Sequence, residues 1–262
     1  MRMVIKVGTS TLAYPNGCMN IRRVESLCKV LSDLKNAGHE IILVSSGAIG
    51  MGVGKLSLKE RPADIPGKQA AAAVGQCELM YTYDRLFSQY NHTVAQILLT
   101  GTDLREESRS RNFRNTLLRL LELGVLPVIN ENDTVATEEI TVGDNDTLSA
   151  LVAVDADAQL LVLMSDIDGL YTDDPHRNPN ARRIPLVAEL TDEILALGGE
   201  KGSALGTGGM KTKLRAAQIC TDAGSDMVIL NGANPELLYG LLEGESVGTR
   251  FLSRTKGAEE NA

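Results

Sequence analysis

The chain has 262 residues, and its 26 basic and 34 acidic side chains give a formal net charge of −8. Hydrophobic residues make up 43% and charged residues 23%, which is typical of a globular protein with a sizeable core and excludes a disordered chain. The acidic balance and the lack of tryptophan argue against a nucleic-acid-binding or basic membrane-binding surface, so any anionic ligand needs a local cluster of cations.

The predicted elements alternate between strands and helices. Residues 2–7 form a buried strand, and a helix capped by Asn20 follows, with apolar positions every three or four residues. A second buried strand covers 40–46, and a glycine-rich segment follows it. The next predicted elements are a helix over 69–90, a strand over 93–100, a helix over 112–124, a strand over 125–132, a helix over 146–156, a strand over 159–165, a helix over 209–223, a strand over 227–232 and a short helix over 235–242.

This alternation predicts an α/β fold. Continuous apolar strands separated by helices indicate an open, mostly parallel sheet sandwiched between helix layers. Alternating β-branched and acidic residues predict a polar hairpin over 134–146, and three prolines within 169–185 predict a loop or lid. Because no linker divides the chain, we expect one domain over 1–252 and a flexible tail over 253–262.

The chain also predicts a cytoplasmic protein with no membrane and no nucleic acid among its partners. No signal peptide and no apolar span of about 20 residues is present. The four cysteines lack metal-ligand spacing, and the helical patterns around Cys28, Cys77 and Cys220 predict buried thiols.

Three glycine-rich segments favour a phosphate ligand. They cover 6–11, 45–54 and 206–213, and two of them carry a lysine. Ligands of such sheets bind beyond the carboxyl ends of the strands, where glycine lets the backbone approach an anion. None is a standard phosphate motif: Lys55 is followed by Leu56 where a P-loop has a hydroxyl, and no GxGxxG stands in the right context. The missing fingerprint disfavours a dinucleotide-dependent oxidoreductase.

Two acidic segments leave alternatives open. Asp133, Asp144 and Asp146 lie with Asn130, Asn132 and Asn145 at and beyond the end of the fourth strand. These residues serve either in loops and helix caps or in a pocket that binds an ammonium group through carboxylates and amide carbonyls. Asp166 and Asp168 follow the most apolar strand and could cap a turn, bind a metal or contact a nucleotide. The scattered histidines indicate neither a serine-hydrolase triad nor a zinc site.

Seven segments together resemble the amino acid kinase family. They are KVGTS (6–10), VSSGAIG (44–50), AAVGQ (72–76), VINEND (128–133), VGDND (142–146), SDIDGLYTDDP (165–175) and GTGGMKTK (206–213). The combination of INEND, GDND and SGAI is similar to the branch that phosphorylates glutamate, and the resemblance runs from Val4 to Phe251. It implies transfer of the γ-phosphoryl group of ATP to the side-chain carboxylate of L-glutamate, the first step towards proline.

The resemblance implies roles for three catalytic residues. Lys6 and Lys213 would flank the transferring phosphoryl group, and Asp146 would orient both lysines. A glutamate side chain, with a pKa of about 4.3, is already ionised at neutral pH, so the reaction needs no catalytic base. Cations must instead offset the repulsion between the carboxylate and the triphosphate, and Mg²⁺ would be held mainly through the ATP phosphates without a metal site in the protein.

Binding residues are implied in the same way. Ser46, Asp133 and Asn145 would hold glutamate, with Asp144 nearby. Gly8 and Gly47 would offer backbone N–H groups to phosphate oxygens. The nucleotide would contact Lys6, Ser165, Asp166, Thr207, Gly208, Gly209, Met210, Lys211, Thr212 and Lys213.

The resemblance also bears on partners and on rival functions. It implies proline as a feedback inhibitor, a homo-oligomer, and glutamyl phosphate reductase as a candidate partner. Many members of this branch continue into a C-terminal RNA-binding-like domain called PUA, which we do not expect here. The rivals are another carboxylate or carbamate kinase, such as acetylglutamate kinase, and a non-catalytic nucleotide or amino-acid sensor.

Overall fold

The computed structural model describes residues 1–14, 16–135, 145–175, 177–199 and 209–254. Its strands are β1 (Arg2–Val7), β2 (Glu40–Ser45), β3 (Val94–Leu99), β4 (Leu126–Glu131), β5 (Leu160–Ser165), β6 (Leu170–Tyr171), β7 (Arg183–Ile184), β8 (Leu186–Val187), β9 (Asp226–Asn231) and β10 (Thr249–Phe251). Its helices are α1 (Thr9–Leu12), α2 (Ile21–Asn36), α3 (Ala48–Lys55), α4 (Ile65–Ser88), α5 (Gly101–Arg105), α6 (Glu107–Glu122), α7 (Asn145–Asp155), α8 (Asp192–Ala196), α9 (Met210–Asp222) and α10 (Leu237–Leu242).

The described strands form one large sheet and one small hairpin. The large sheet has the order β3-β4-β2-β1-β5-β9-β10-β8. Strands β3 to β9 in this order run parallel, whereas β10 pairs antiparallel with β9 and parallel with β8. Strands β6 and β7 pair antiparallel beside it. The mostly parallel α/β sheet predicted from the sequence is confirmed.

Both faces of the sheet are covered by helices. Along β1, Met3, Ile5 and Val7 belong to a core that includes residues of α2, α4 and α10. Val4 belongs to a second core on the opposite face, with residues of α6, α7 and α9. Successive side chains of a strand alternate between faces, so Lys6 projects to the same side as Val4, towards α7 and α9.

The growth direction of the sheet changes at β1. Strands β2, β4 and β3 lie on one side of β1, and β5 and β9 lie on the other. In open α/β sheets such a switch point leaves a crevice beyond the carboxyl ends of the strands, where ligands bind. The segments that follow β1, β2, β4 and β5 therefore begin at the edge of this crevice.

The prediction of a glycine-rich loop over 45–54 is wrong from Ala48 onward, where α3 begins. Gly52 allows α3 to pack closely against α4. A Cβ on Gly52 would lie 1.8 Å from the carbonyl oxygen of Ala71 in α4. A Cβ on Gly75 of α4 would lie 1.8 Å from the carbonyl oxygen of Ala48. Side chains at these positions would push the two backbones apart.

Other parts of the prediction were incomplete. The hairpin β6–β7 lies within the predicted loop of 169–185, and the short strands β8 and β10 were not predicted. The expectation of a buried Cys77 is wrong, because this thiol is exposed, whereas Cys28 and Cys220 are buried as predicted. Most of the predicted 134–146 hairpin and most of the predicted tail lie outside the described residues. Of the helices that the structure describes, none is long and apolar enough to cross a membrane.

Candidate active site

Two lysines from opposite ends of the chain meet on one carboxylate. The Nζ atom of Lys6 donates to Oδ1 of Asp146 at 2.6 Å, and Nζ of Lys213 donates to Oδ2 at 3.1 Å. The hydroxyl of Thr212 lies 3.0 Å from the same Oδ2. Asp146 is fully buried, and Lys6 and Lys213 are 9% and 6% exposed. This arrangement places two cations side by side at the switch point of the sheet.

The charge state of Asp146 follows from its surroundings. Burial by itself favours the neutral acid, but the positive charges of Lys6 and Lys213 and their hydrogen bonds outweigh it and lower the pKa of Asp146 to about 2. The carboxylate is therefore ionised at neutral pH. Because both of its oxygens accept hydrogen bonds from lysines, Asp146 holds the two ammonium groups in place.

Local structure explains how the sequence builds this cluster. Lys6 occupies a strand position whose side chain points to the α7 side of the sheet, and Asp146 lies in the first turn of α7. Helix α9 begins at Met210, its N-cap residue Gly209 offers no side-chain cap, and Lys213 lies near this end of the helix. Two ammonium groups beside a helix N-terminus are suited to binding a polyanion.

A network of amides adjoins the lysine cluster. Asn145 Nδ2 donates to Ser46 Oγ at 2.7 Å and to Asn130 Oδ1 at 3.0 Å. Asn130 Nδ2 in turn donates to Gln76 Oε1 at 2.9 Å. The structure thus brings together Ser46 and Asn145, two of the three residues predicted to hold glutamate. Asn130 was named only in the open alternative of an ammonium pocket, and Gln76 was not predicted individually, although both lie within segments that carry the family resemblance.

Asp133, the third residue predicted to hold glutamate, follows β4 in a turn. Burial raises its pKa to about 6, and the positive charge of Arg61 opposes the rise. A carboxylate that is poorly solvated without a ligand gains from a cationic partner, which fits recognition of an ammonium group.

The residues predicted to contact the nucleotide are only partly described. Ser165 ends β5, and its hydroxyl donates to Oδ1 of Asp166 at 3.0 Å. Gly209, Met210 and Lys211 open α9, with Lys211 exposed. Thr207 and Gly208 lie outside the described residues, as does Asp144.

The backbone approaches the site at two further glycines. Gly8 follows β1, and a Cβ there would lie 3.8 Å from Nζ of Lys6. Gly47 precedes α3 with φ of +106°, a conformation that favours glycine. Both positions are consistent with backbone N–H groups near a bound phosphate.

The donor set suits a metal that arrives with its phosphates. Within the described parts of the chain, no group of three or more His, Cys, Asp or Glu side chains could hold a metal ion. The groups around the lysine cluster are cations and N–H donors, which bind phosphate oxygens. Mg²⁺ usually binds proteins through few carboxylates, with substrate phosphates and water completing its coordination, so these residues fit Mg²⁺ complexed with ATP.

Comparison with known proteins assigns the chain and its fold to one class. The amino acid kinase family model matches residues 1–231, and the chain belongs to that family. The carbamate kinase of Giardia lamblia, solved with bound AMP-PNP, shares the fold with a TM-score of 0.67 and 17% identity over 96% of this chain and 98% of that one.

The curated relatives of the present chain form a narrower group within this family. The chain is 54% identical to the glutamate 5-kinase of Clostridium tetani over 95% of its own length and 93% of that protein. It is 50% identical to the glutamate 5-kinase of Clostridium perfringens, with 97% and 96% of the two chains covered.

Proposed function

We propose that this protein is a glutamate 5-kinase, which transfers the γ-phosphoryl group of ATP to the side-chain carboxylate of L-glutamate and releases ADP. The observation that carries the proposal is the buried carboxylate of Asp146 with Lys6 and Lys213 on its two oxygens. A protein that only sensed nucleotide or amino acid would have no need for two ammonium groups fixed in this way. The relatives with that name at 54% and 50% identity support the choice of substrate.

The main obstacle to the reaction is the repulsion between the glutamate carboxylate and the triphosphate, and the two lysines would reduce this repulsion. Two unit charges about 4 Å apart repel by about 4 kcal/mol at an effective dielectric constant of 20, and a triphosphate presents several such charges. Lys6, Lys213 and the first N–H groups of α9 are placed to offset this repulsion and the charge that develops on the phosphoryl group. These groups would hold the phosphates that carry Mg²⁺, which when bound neutralises phosphate charge.

The two substrates would occupy opposite sides of the lysine cluster. Ser46, Asn145 and Asp133 would hold glutamate, and Ser165 and Asp166 would contact ATP. The remaining nucleotide contacts would come from the segment Thr207, Gly208, Gly209, Met210, Lys211, Thr212 and Lys213. Residues 1–252 would constitute the kinase domain, and 253–262 a flexible tail.

The family resemblance supports further proposals about regulation and partners. Proline, as the end product, would inhibit the enzyme, and the chain would act as a homo-oligomer in the cytoplasm. Glutamyl phosphate reductase is the natural partner, because an acyl phosphate hydrolyses readily in water and benefits from direct transfer to the next enzyme.

Trapping of the acyl phosphate tests the proposal. The protein is incubated with ATP, Mg²⁺, hydroxylamine and one of glutamate, N-acetylglutamate or aspartate, and acyl hydroxamate is measured. We expect product that depends on glutamate and on ATP. Absence of a glutamate-dependent product would refute the proposal, and a preference for N-acetylglutamate would identify an acetylglutamate kinase instead.

A further inference from the structure

A backbone group at the end of β4 fixes the orientation of a buried amide. The N–H of Glu131 donates to Asn130 Oδ1 at 2.9 Å. A backbone N–H can only donate, so the atom that faces it must be the oxygen of the Asn130 amide. The Nδ2 atom of Asn130 therefore points away and donates to Oε1 of Gln76 at 2.9 Å. Asn130 and Gln76 are 2% and 8% exposed, so water does not compete for these bonds.

The same constraint passes to Asn145. The Oδ1 atom of Asn130 also accepts from Asn145 Nδ2 at 3.0 Å, and the second proton of this amide is donated to Ser46 Oγ at 2.7 Å. Both N–H bonds of Asn145 are thereby used. Its Oδ1 atom is buried and has no hydrogen-bond partner among the described residues.

Ser46, unlike Asn145, is left with a hydrogen-bond donor. Its hydroxyl oxygen accepts from Asn145, which leaves the hydroxyl proton for a further acceptor. At the far end of the network, Nε2 of Gln76 is buried and likewise lacks a partner within the described ranges. The site therefore presents an unused acceptor at Asn145 and unused donors at Ser46 and Gln76.

We propose that this relay, which starts at the N–H of Glu131, sets the polarity of the amino-acid pocket for a zwitterion. Asn145 Oδ1 accepts a hydrogen bond from the α-ammonium group of the substrate, and the Ser46 hydroxyl donates to a carboxylate. Asn130 and Gln76 are positioning residues, which act by keeping the amide of Asn145 from rotating by half a turn. The proposal rests on the proposed function and adds that Asn130 and Gln76 determine how the pocket discriminates between ligands.

The relay explains why a deaminated analogue would be rejected. A ligand with no N–H donor at this position leaves the buried oxygen of Asn145 unpaired, which disfavours its binding. If Asn145 could rotate freely, it would offer an N–H group to such a ligand and the discrimination would be lost. Selectivity for the ammonium group should therefore depend on Asn130 and Gln76, which need not touch the ligand.

Calorimetric dissociation constants for L-glutamate and glutarate test the relay, because glutarate differs only in lacking the ammonium group. Wild-type protein should bind glutamate at least tenfold more tightly, since a hydrogen bond to a charged group contributes roughly tenfold to hundredfold. The ratio should fall close to one in Asn130→Leu and several-fold in Gln76→Leu. Gln76→Glu, which still accepts from Asn130, should keep the ratio within about twofold.

The ratio separates positioning from a general loss of structure. A variant that merely destabilised the pocket would weaken both ligands equally and leave the ratio unchanged. An unchanged ratio in both leucine variants, or equal binding of the two ligands by wild-type protein, overturns the relay. If Asn130→Leu does not fold, the two Gln76 variants decide. Failure of the proposed function appears separately, as absence of glutamate hydroxamate from wild-type protein.

Discussion

Lys6 and Lys213 come from opposite ends of the chain and bind opposite oxygens of a single buried carboxylate. Lys6 belongs to the strand at the centre of the sheet, and Lys213 belongs to the first turn of α9. Their ammonium groups would repel each other strongly without the charge of Asp146 between them. The side chain of Asp146 therefore sets the spacing of the two ammonium groups. Mutation can test the role of a lysine separately from the role of Asp146.

Lys213→Ala should abolish turnover while glutamate binding persists. The variant removes one of the two charges that we propose to stabilise the transferring phosphoryl group, and loss of such a group costs at least about a hundredfold in kcat. The hydroxamate assay measures turnover, and calorimetry measures glutamate binding. Lys29→Ala, on the exposed side of α2, is the matched control and should retain full activity. A near-normal rate for Lys213→Ala would show that this lysine does not act at the phosphoryl group.

Asp146→Asn should reduce stability at neutral pH by about 3–5 kcal/mol, because two buried ammonium groups lose their counter-charge. The folded protein lowers the pKa of Asp146 from an ordinary 3.8 to about 2, so its ionisation stabilises the fold above pH 4 and this contribution disappears as the pH falls towards 2. The stability difference between wild type and variant should therefore narrow by about 2 kcal/mol across that range.

Denaturant unfolding between pH 2 and 8 checks this dependence. Glu122→Gln is the control, since its 2.8 Å ion pair with Arg119 is exposed and should contribute at most about 1 kcal/mol. A difference between Asp146→Asn and wild type that stays constant down to pH 2 would contradict the assigned charge state.

Gly75→Ala should destabilise the protein by about 1–3 kcal/mol or more, because its Cβ would lie 1.8 Å from the backbone oxygen of Ala48. Since α3 begins directly after Ser46 and Gly47, displacement of this helix should also raise KM for glutamate. Thermal unfolding followed by circular dichroism measures the loss. Gly50→Ala in α3 is the control. Its Cβ would meet Thr9 at an ordinary 3.5 Å, so the stability of this variant should equal or slightly exceed that of the wild type. Equal melting temperatures for the two variants would be evidence against the close contact of α3 with α4.

Asp133→Asn should be more stable than wild type at pH 8. Burial raises the pKa of Asp133 from 3.8 to about 6, so the folded state holds this proton more tightly than the unfolded state. Stability attributable to Asp133 therefore falls as the pH rises from about 4 through 6 and then levels off. The variant should gain about 1–3 kcal/mol above pH 7 and nothing near pH 4, as measured by urea unfolding. A gain that does not change with pH would contradict the raised pKa.

The central strands could be predicted because strands buried on both faces require an unbroken apolar run. The prediction of 40–46 differs from Glu40–Ser45 by one residue for this reason. Strands β8 and β10 have two and three residues, which is too short for any period to show. Helix α3 was missed because its glycines suggest a turn, whereas Gly52 is needed for close contact with α4, a tertiary effect.

The site was predictable to a different extent. Lys6, Asp146 and Lys213 were assigned through family resemblance, and no spacing rule could have paired residues so distant in sequence. Asn130 stayed an open alternative because an asparagine at a strand end is also typical of a turn, and Gln76 was missed because a glutamine in an alanine-rich helix is typical of a solvated face. Only the packing of α4 against the end of β4 reveals that they face each other.

The central position of β1 has a consequence for biosynthesis. One edge of β1 pairs with β2, but the other edge pairs with β5, which spans Leu160–Ser165. During translation that edge of β1 therefore stays apolar and unpaired until more than 150 further residues have been added. An open edge of this kind invites pairing with other nascent chains. The strand that carries Lys6 is thus among the first to be synthesised and among the last to be completed.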